Sequence, residues 1–471
     1  MKKRTVRLLK GLAITLVALG VIYVIWVGVS AIKLHRAYAA LRKDGRPMSA
    51  EEVIPPRVED TNNAALLYES AGLLLKAMPA RWEEVPDANV LSPKEASARD
   101  KSKDLLGHLG YLADAFTKES LEAGRRAKLE ALLAEDIVTQ ALAIVTLGTE
   151  RPSCRFDLEY EAGLNMILSP VLDLRNLSRV LGAKARVEAE AGRPESAWEL
   201  ALTQLKLADA LRTEPTIISQ VVRISAIANT CRTLQLVCAA APPSQQQYDS
   251  LVALLEGLDD VAPLVACVDA ERVLVGEWVF GQSRDELRET IRQYVFEDRD
   301  YAPGILNWFR FKRICFKPSF LADHAAYIQL MHENARLFEG LSPAGEFRTL
   351  EVAVEEAGGR HILTGVLVPA MRRLNHLHAR MTAEVRVTRA GLALVRYRAE
   401  QGAWPERLEA LGLEKLDDPF AEGSLRYRPE GEGFVLYSVG QDREDNGGVA
   451  KEGKQEEDFD IVWRFPDQPT R

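Results

Sequence analysis

Residues 11 to 32, GLAITLVALGVIYVIWVGVSAI, run for 22 positions without a charged side chain. No other feature constrains the fold as tightly, because roughly 20 consecutive apolar residues are what a helix needs to cross a hydrocarbon core of about 30 Å. A cleaved secretory signal is the rival reading, but its apolar core is usually only about 7 to 15 residues long. The best small-residue cleavage pattern, Ala37-Tyr38-Ala39, also falls after Lys33 and Arg36. Residues 1–36 are therefore read as an uncleaved transmembrane anchor, with the lipid bilayer as partner through residues 11–32. Lys2, Lys3, Arg4, Arg7 and Lys10 precede the run, which favours a cytoplasmic N-terminus and a body in the periplasm or another extracytoplasmic space. Lys33, Arg36, Arg42, Lys43 and Arg46 follow it and weaken that asymmetry. Tyr23 and Trp26 lie inside the run and do not fix its depth.

Beyond the anchor, the helical pattern stops at Gly45-Arg46-Pro47 and a Pro55-Pro56 pair follows. Residues 37–61 read as a linker, extended and semi-rigid as proline-rich segments are, that holds the body off the membrane. From residue 62 to 370 apolar side chains recur every three or four positions, the period of amphipathic helices. Leu174, Leu177, Val180, Leu181 and Ala185 form one stripe, Gly192-Arg193-Pro194 breaks it, and Trp198, Ala201, Leu202, Leu205 and Ala208 form the next. That hairpin resembles one unit of a tetratricopeptide array, but no second copy follows at a fixed period and such arrays need about three repeats. Glu214-Pro215 ends the second helix, and Ile217 starts another that reaches about Ala240. An irregular α-helical body is expected.

The chain carries a net charge of −8, which argues against nucleic acid as a partner, since phosphate is bound by Lys and Arg. Residues 299–320 are an exception in character: Trp308, Phe309, Phe311, Phe316 and Phe320 alternate with Arg310, Lys312, Arg313 and Lys317. The reading preferred is aromatic core with solvated cations, ahead of a seat on an anionic bilayer or stacking on single-stranded nucleic acid. The five cysteines lack any CxxC and read as buried thiols; Cys231 and Cys238, on one helix, are about 10 Å apart along its axis, too far for a disulfide.

After Pro369 the pattern changes. A long helix, with Leu374, Leu377, Met381, Val385, Leu392 and Val395 on its apolar positions, ends at Gly402. Trp404-Pro405, the short helix RLEALGL, the turn DDPFAEGS and three strand-like runs, LRYR, FVLYS and FDIVW, come next in that order. Residues 371–471 thus read as a small α+β module, a helix plus an antiparallel sheet, on a chain that is otherwise mainly α. The order YRxxxGxWPxxLExL, DPF, LRYR, GFVLYSVGxD, DFDIVW resembles the globular domain of the type II secretion major pseudopilins. The chain departs from that family in placing some 330 residues between anchor and module and in lacking a prepilin cleavage site, so a fibre subunit is not expected. The layout is also similar to membrane-anchored proteins of planctomycete-type bacteria, a resemblance that brings no activity with it.

In the pseudopilins the loop after the second of these strands binds calcium. The resemblance implies Asp442 with Asp458 or Asp460, plus carbonyls near Val439, as the metal ligands here. Oxygen-rich flexible loops suit that hard ion, and DREDNGG followed by EEDFD supplies oxygen; a merely solvated acidic turn is the competing reading. An EF-hand is not expected, because the twelfth position would be Gly453.

No GxSxG, GxxxxGK[ST], HExxH or GxGxxG occurs. His376 and His378 are two apart on a helix, where side chains do not face each other, and read as helix surface. Asp157, Glu159, Glu161 and Asp173, and Asp323 beside His324, are carboxylates of the density expected by chance, so no catalytic role is assigned. The expected function is a membrane-anchored extracytoplasmic structural or interaction protein. The alternatives are an envelope enzyme without a recognisable motif and an accessory component of a secretion apparatus.

Overall fold

The computed structural model describes residues 2–79, 104–118, 121, 123–291, 293, 316–339, 361–449 and 459–466. The principal helices are α1 (Lys2–Lys43), α2 (Ala65–Lys76), α3 (Leu105–Lys118), α4 (Asp136–Gly148), α5 (Ser169–Glu190), α6 (Pro194–Asp209), α7 (Ile217–Ala240), α8 (Lys317–Glu339) and α9 (Pro369–Gln401). The strands are β1 (Arg426–Glu430), β2 (Gly433–Ser438) and β3 (Ile461–Phe465). The fold is mainly α, with a long apolar N-terminal helix and a small C-terminal antiparallel sheet.

Two compact units interleave along the chain, whereas the sequence suggests sequential segments. The first comprises Met1–Ile54, Glu159–Met166 and Leu264–Arg373; the second comprises Pro55–Leu158, Ile167–Pro263 and Leu374–Arg471.

In the first unit, α1 continues unbroken past the apolar run to Lys43. Its course departs from the expected linker, which starts at residue 37. The reason is the amphipathic character of its last turns: Ala37 and Leu41 are covered while Arg36, Arg42 and Lys43 stay in solvent. The covering element is α8, which runs parallel to α1. Trp26 meets Phe316 just before α8, Tyr38 meets His324 two turns into it, and Arg46 meets Glu339 at its end. The chain stays tied after the helix, because the Arg46 guanidinium is itself buried and donates to Asp269 and Glu339.

The second unit is built on the expected hairpin. The two helices α5 and α6 pack along their length, with Gly192 at φ +72° in the turn, and α7 closes over both. Thr216 caps α7 by accepting from the Ser219 N–H, just after the break expected at Glu214-Pro215. In α9, residues 381–385 and 387–395 are all buried, so this helix is covered on every side rather than along one stripe. A helix of that kind is a core helix. It is covered partly by the sheet, in which β2 lies centrally between β1 and β3 and is buried on both faces. The hairpin pairs Glu430 with Gly433 across a two-residue turn, and Ser438 with Ile461 opens the pairing to β3. Trp463 of β3 lies against α9 at Gly391, so close that a Cβ there would fall 2.0 Å from the indole.

Candidate functional site

The most concentrated polar chemistry in the first unit lies where α1 leaves its uncovered stretch and enters the body. The Tyr38 hydroxyl donates to the Glu277 carboxylate, with oxygens at 2.7 and 2.8 Å, and lies 3.3 Å from His324 Nε2. The imidazole is 3.4 Å from the same carboxylate and stacks on Phe280 at 4.2 Å with the rings nearly coplanar. Burial pushes the Glu277 carboxyl up, but the hydrogen bonds and charge of His324, the Tyr38 hydroxyl and Arg272 outweigh it and leave the group below the usual carboxylate range. Glu277 directly follows a π-helical turn, Arg272–Gly276. That widened turn admits the Tyr327 ring, which would strike any Cβ on Gly276 at 2.1 Å. Arg272 reaches back to the Pro47 carbonyl and to Asp269. Phenol, carboxylate and imidazole thus close a latch between three segments that are far apart in sequence.

Asp323, next to His324, has a different task. Its carboxylate accepts from the N–H groups of Leu363 (3.0 Å) and Thr364 (2.9 Å) and from the Thr364 hydroxyl (2.6 Å). It caps the short helix Ile362–Leu367, which uses its oxygens structurally. An open groove on the same unit is lined by Asn165, Trp278, Gln282, Glu286, Glu289 and Thr290. The Glu286 carboxylate there accepts from the Ser283 N–H at 2.8 Å and closes the start of its own helix.

The second unit contains a charged cluster that sequence reasoning missed. His378, read from the sequence as helix surface, lies largely covered beside Arg223, Asp259, Arg386 and Asp260. Desolvation and the two guanidiniums depress its pKa to about 4, against the pull of the two carboxylates. Arg223 is 1% exposed and donates to Asp209, which Arg212 also contacts. Arg386 reaches Asp259 at 3.3 Å. The cluster joins α6, α7 and α9. Its only sequence signal is a set of arginines at otherwise apolar helical positions, Arg223 above all. Asp173 pairs with Lys76 at 3.0 Å, and Asp157 lies exposed beside Arg155.

Of the residues expected to ligate calcium, Asp442 and Asp460 are brought together around Asn446, and Asp458 lies outside the described residues. Asp460 accepts from the N–H groups of Asn446 (3.3 Å), Gly448 (2.7 Å) and Val449 (3.2 Å). Asp442 accepts from the Glu444 N–H and the Asn446 amide. Burial raises the Asp460 carboxyl and the three N–H groups pull it back only in part. Asp460 therefore staples the loop after β2 to the start of β3 while Asp442 closes the loop on itself, and an ion entering here has to share those oxygens. Of the 299–320 stretch, residues 299–315 lie outside the described residues; Phe320 packs on Phe280, while Phe316 is exposed beside Tyr23 and Trp26. Cys154, Cys231, Cys238 and Cys267 are buried free thiols, and burial pushes Cys231 and Cys238 up to about 12, which leaves them unreactive.

Comparison with protein-family models, curated proteins and solved structures gives no match for this chain.

Proposed function

We propose that this is a single-pass membrane protein whose body is held on the extracytoplasmic side as a structural or interaction module. One observation carries the reading. A helix long and apolar enough to span a bilayer, with its apolar window wholly uncovered, continues without a break into turns that are packed and hydrogen-bonded inside the body. The polar groups that converge in the first unit serve that junction: Tyr38, Glu277 and His324 latch it, Arg46 and Arg272 tie the chain after it, and Asp323 caps a neighbouring helix. The five basic residues before the apolar run favour a cytoplasmic N-terminus.

The test is protease treatment of intact cells or spheroplasts, combined with alkaline extraction of the membranes. The expected result is a chain that resists extraction and whose body is digested from outside. Extraction into the soluble fraction removes the anchor, and protection of the body until lysis reverses the orientation.

A further inference from the structure

The depth at which the bilayer stops can be read from which part of α1 its own body leaves uncovered. Every residue from Leu9 to Trp26 is exposed, Val27 and Gly28 are partly covered, and Ser30 is buried. In the sequence, Leu8 to Trp26, between Arg7 and that tryptophan, is 19 residues with Lys10 as its one charge, or about 28 Å of helix at 1.5 Å per residue, close to the hydrocarbon thickness of about 30 Å. At its body-side end stand three rings from two helices: Phe316, immediately before α8, lies 5.5 Å from Tyr23 and 5.3 Å from Trp26. Of these, tyrosine and tryptophan are the rings that concentrate at membrane–water boundaries. At the other end Lys10 can extend along the helix toward the opposite headgroups.

The alternative is that the whole uncharged run, residues 11–32, lies in hydrocarbon. Trp26 would then sit six residues, about 9 Å, below the boundary, and would take the start of α8 down with it. That start carries Lys317, which is exposed. Its first turn also carries the Lys317 and Ser319 N–H groups, which a helix does not satisfy internally; water or headgroups can satisfy them and hydrocarbon cannot.

We infer that the bilayer surface lies at the ring of Tyr23, Trp26 and Phe316, so that the first unit rests directly on the phospholipid headgroups with the opening turn of α8 among them. This rests on the reading of α1 as an anchor and replaces the stand-off tether expected from the sequence. Val29, exposed on the uncovered side of α1, then falls in the headgroup layer, which adds about 5 to 8 Å on each side of the hydrocarbon, and Ile32 lies at its outer edge. Lys33 and Lys317, exposed as well, are placed to meet lipid phosphates.

The test uses the full chain in sealed phosphatidylcholine vesicles containing phosphatidylglycerol, with lipids brominated either near the headgroup or near the chain ends. Trp26 fluorescence is isolated as the difference between the wild-type chain and Trp26→Phe. Shallow bromines are expected to quench it at least twofold more than deep ones. A second probe, Phe316→Trp in the Trp26→Phe background, is expected to give the same ranking. Stronger quenching by the deep bromines overturns the placement and leaves the anchor standing; no quenching of Trp26 by either lipid overturns the anchor and the placement together.

Discussion

Burial, Arg223 and Arg386 disfavour charge on His378 while Asp259 and Asp260 favour it, and its depressed pKa of about 4 is a statement about stability. Above the unfolded value of about 6.5 the ring is neutral in both states and contributes nothing. As pH falls below it, the unfolded chain takes up a proton that the folded chain refuses, so stability drops steadily until the folded pKa is reached. Near pH 5 the loss amounts to about 1 to 2 kcal/mol. Thermal melting of the second unit's transition should fall between neutral and mildly acid pH, and His378→Gln should flatten that dependence; an unchanged slope in the variant would assign the acid lability elsewhere. Asp323 illustrates a residue whose neighbour in sequence misleads. Beside His324 it suggests acid–base chemistry, yet its oxygens are held by Leu363 and Thr364. Asp323→Ala should cost about 2 kcal/mol by leaving those donors unpaired, measurable by denaturant titration, and Asp323→Asn should recover part of it. Neither role is legible in the sequence: the partners of Asp323 lie 40 and 41 positions away, and of those around His378 only Arg386 is near in sequence.

At the scale of elements, α9 and the sheet meet closely where Gly391 faces Trp463. Gly391→Ala in an ordinary helix interior stabilises by up to about 1 kcal/mol. Here the added methyl would overlap the Trp463 indole, so the sign should reverse: the melting temperature falls and the near-ultraviolet signal of the tryptophan changes. Gly391→Ala that stabilises the chain would show that β3 does not pack on α9 as described. The elements themselves are largely readable from the sequence. The hairpin of α5 and α6, the break at Glu214-Pro215, the end of α9 before Gly402 and the three strands all follow from apolar period and from glycine or proline punctuation. The segment RLEALGL forms only a 3-10 turn, Leu408–Leu411, ended by Gly412 at φ +63°. Period fails for Arg223 and His378, whose polar side chains occupy covered positions because charged partners on other helices receive them. It fails too for α1, where a single stretch of helix passes from uncovered apolar turns to core burial with no change of secondary structure to mark the boundary.

For the molecule as a whole, that boundary decides which part of α1 belongs to the soluble body. A soluble fragment designed from the sequence would begin in the expected linker, after residue 46 or near residue 62. Such a cut removes Ala37, Leu41 and the Tyr38 hydroxyl from α8, and takes away Arg46, the partner of Asp269 and Glu339. Full burial of a leucine alone is worth about 1.5 to 3 kcal/mol, and Asp269 loses one of its two guanidiniums while keeping Arg272; together these losses are a large fraction of the stability of an ordinary domain, about 5 to 15 kcal/mol. A fragment beginning at residue 27 retains every one of these contacts and discards only the uncovered apolar turns. Expressed side by side, the fragment from residue 27 should be soluble, monomeric by sedimentation and cooperative in melting, while the fragment from residue 47 should aggregate or melt at least 10 °C lower by the usual scaling of about 2 to 8 °C per kcal/mol. Equal stability of the two would mean that α1 is only a tether. The larger loss from the shorter fragment would mean that a helix long and apolar enough to cross a membrane is also a core element of the body that follows it.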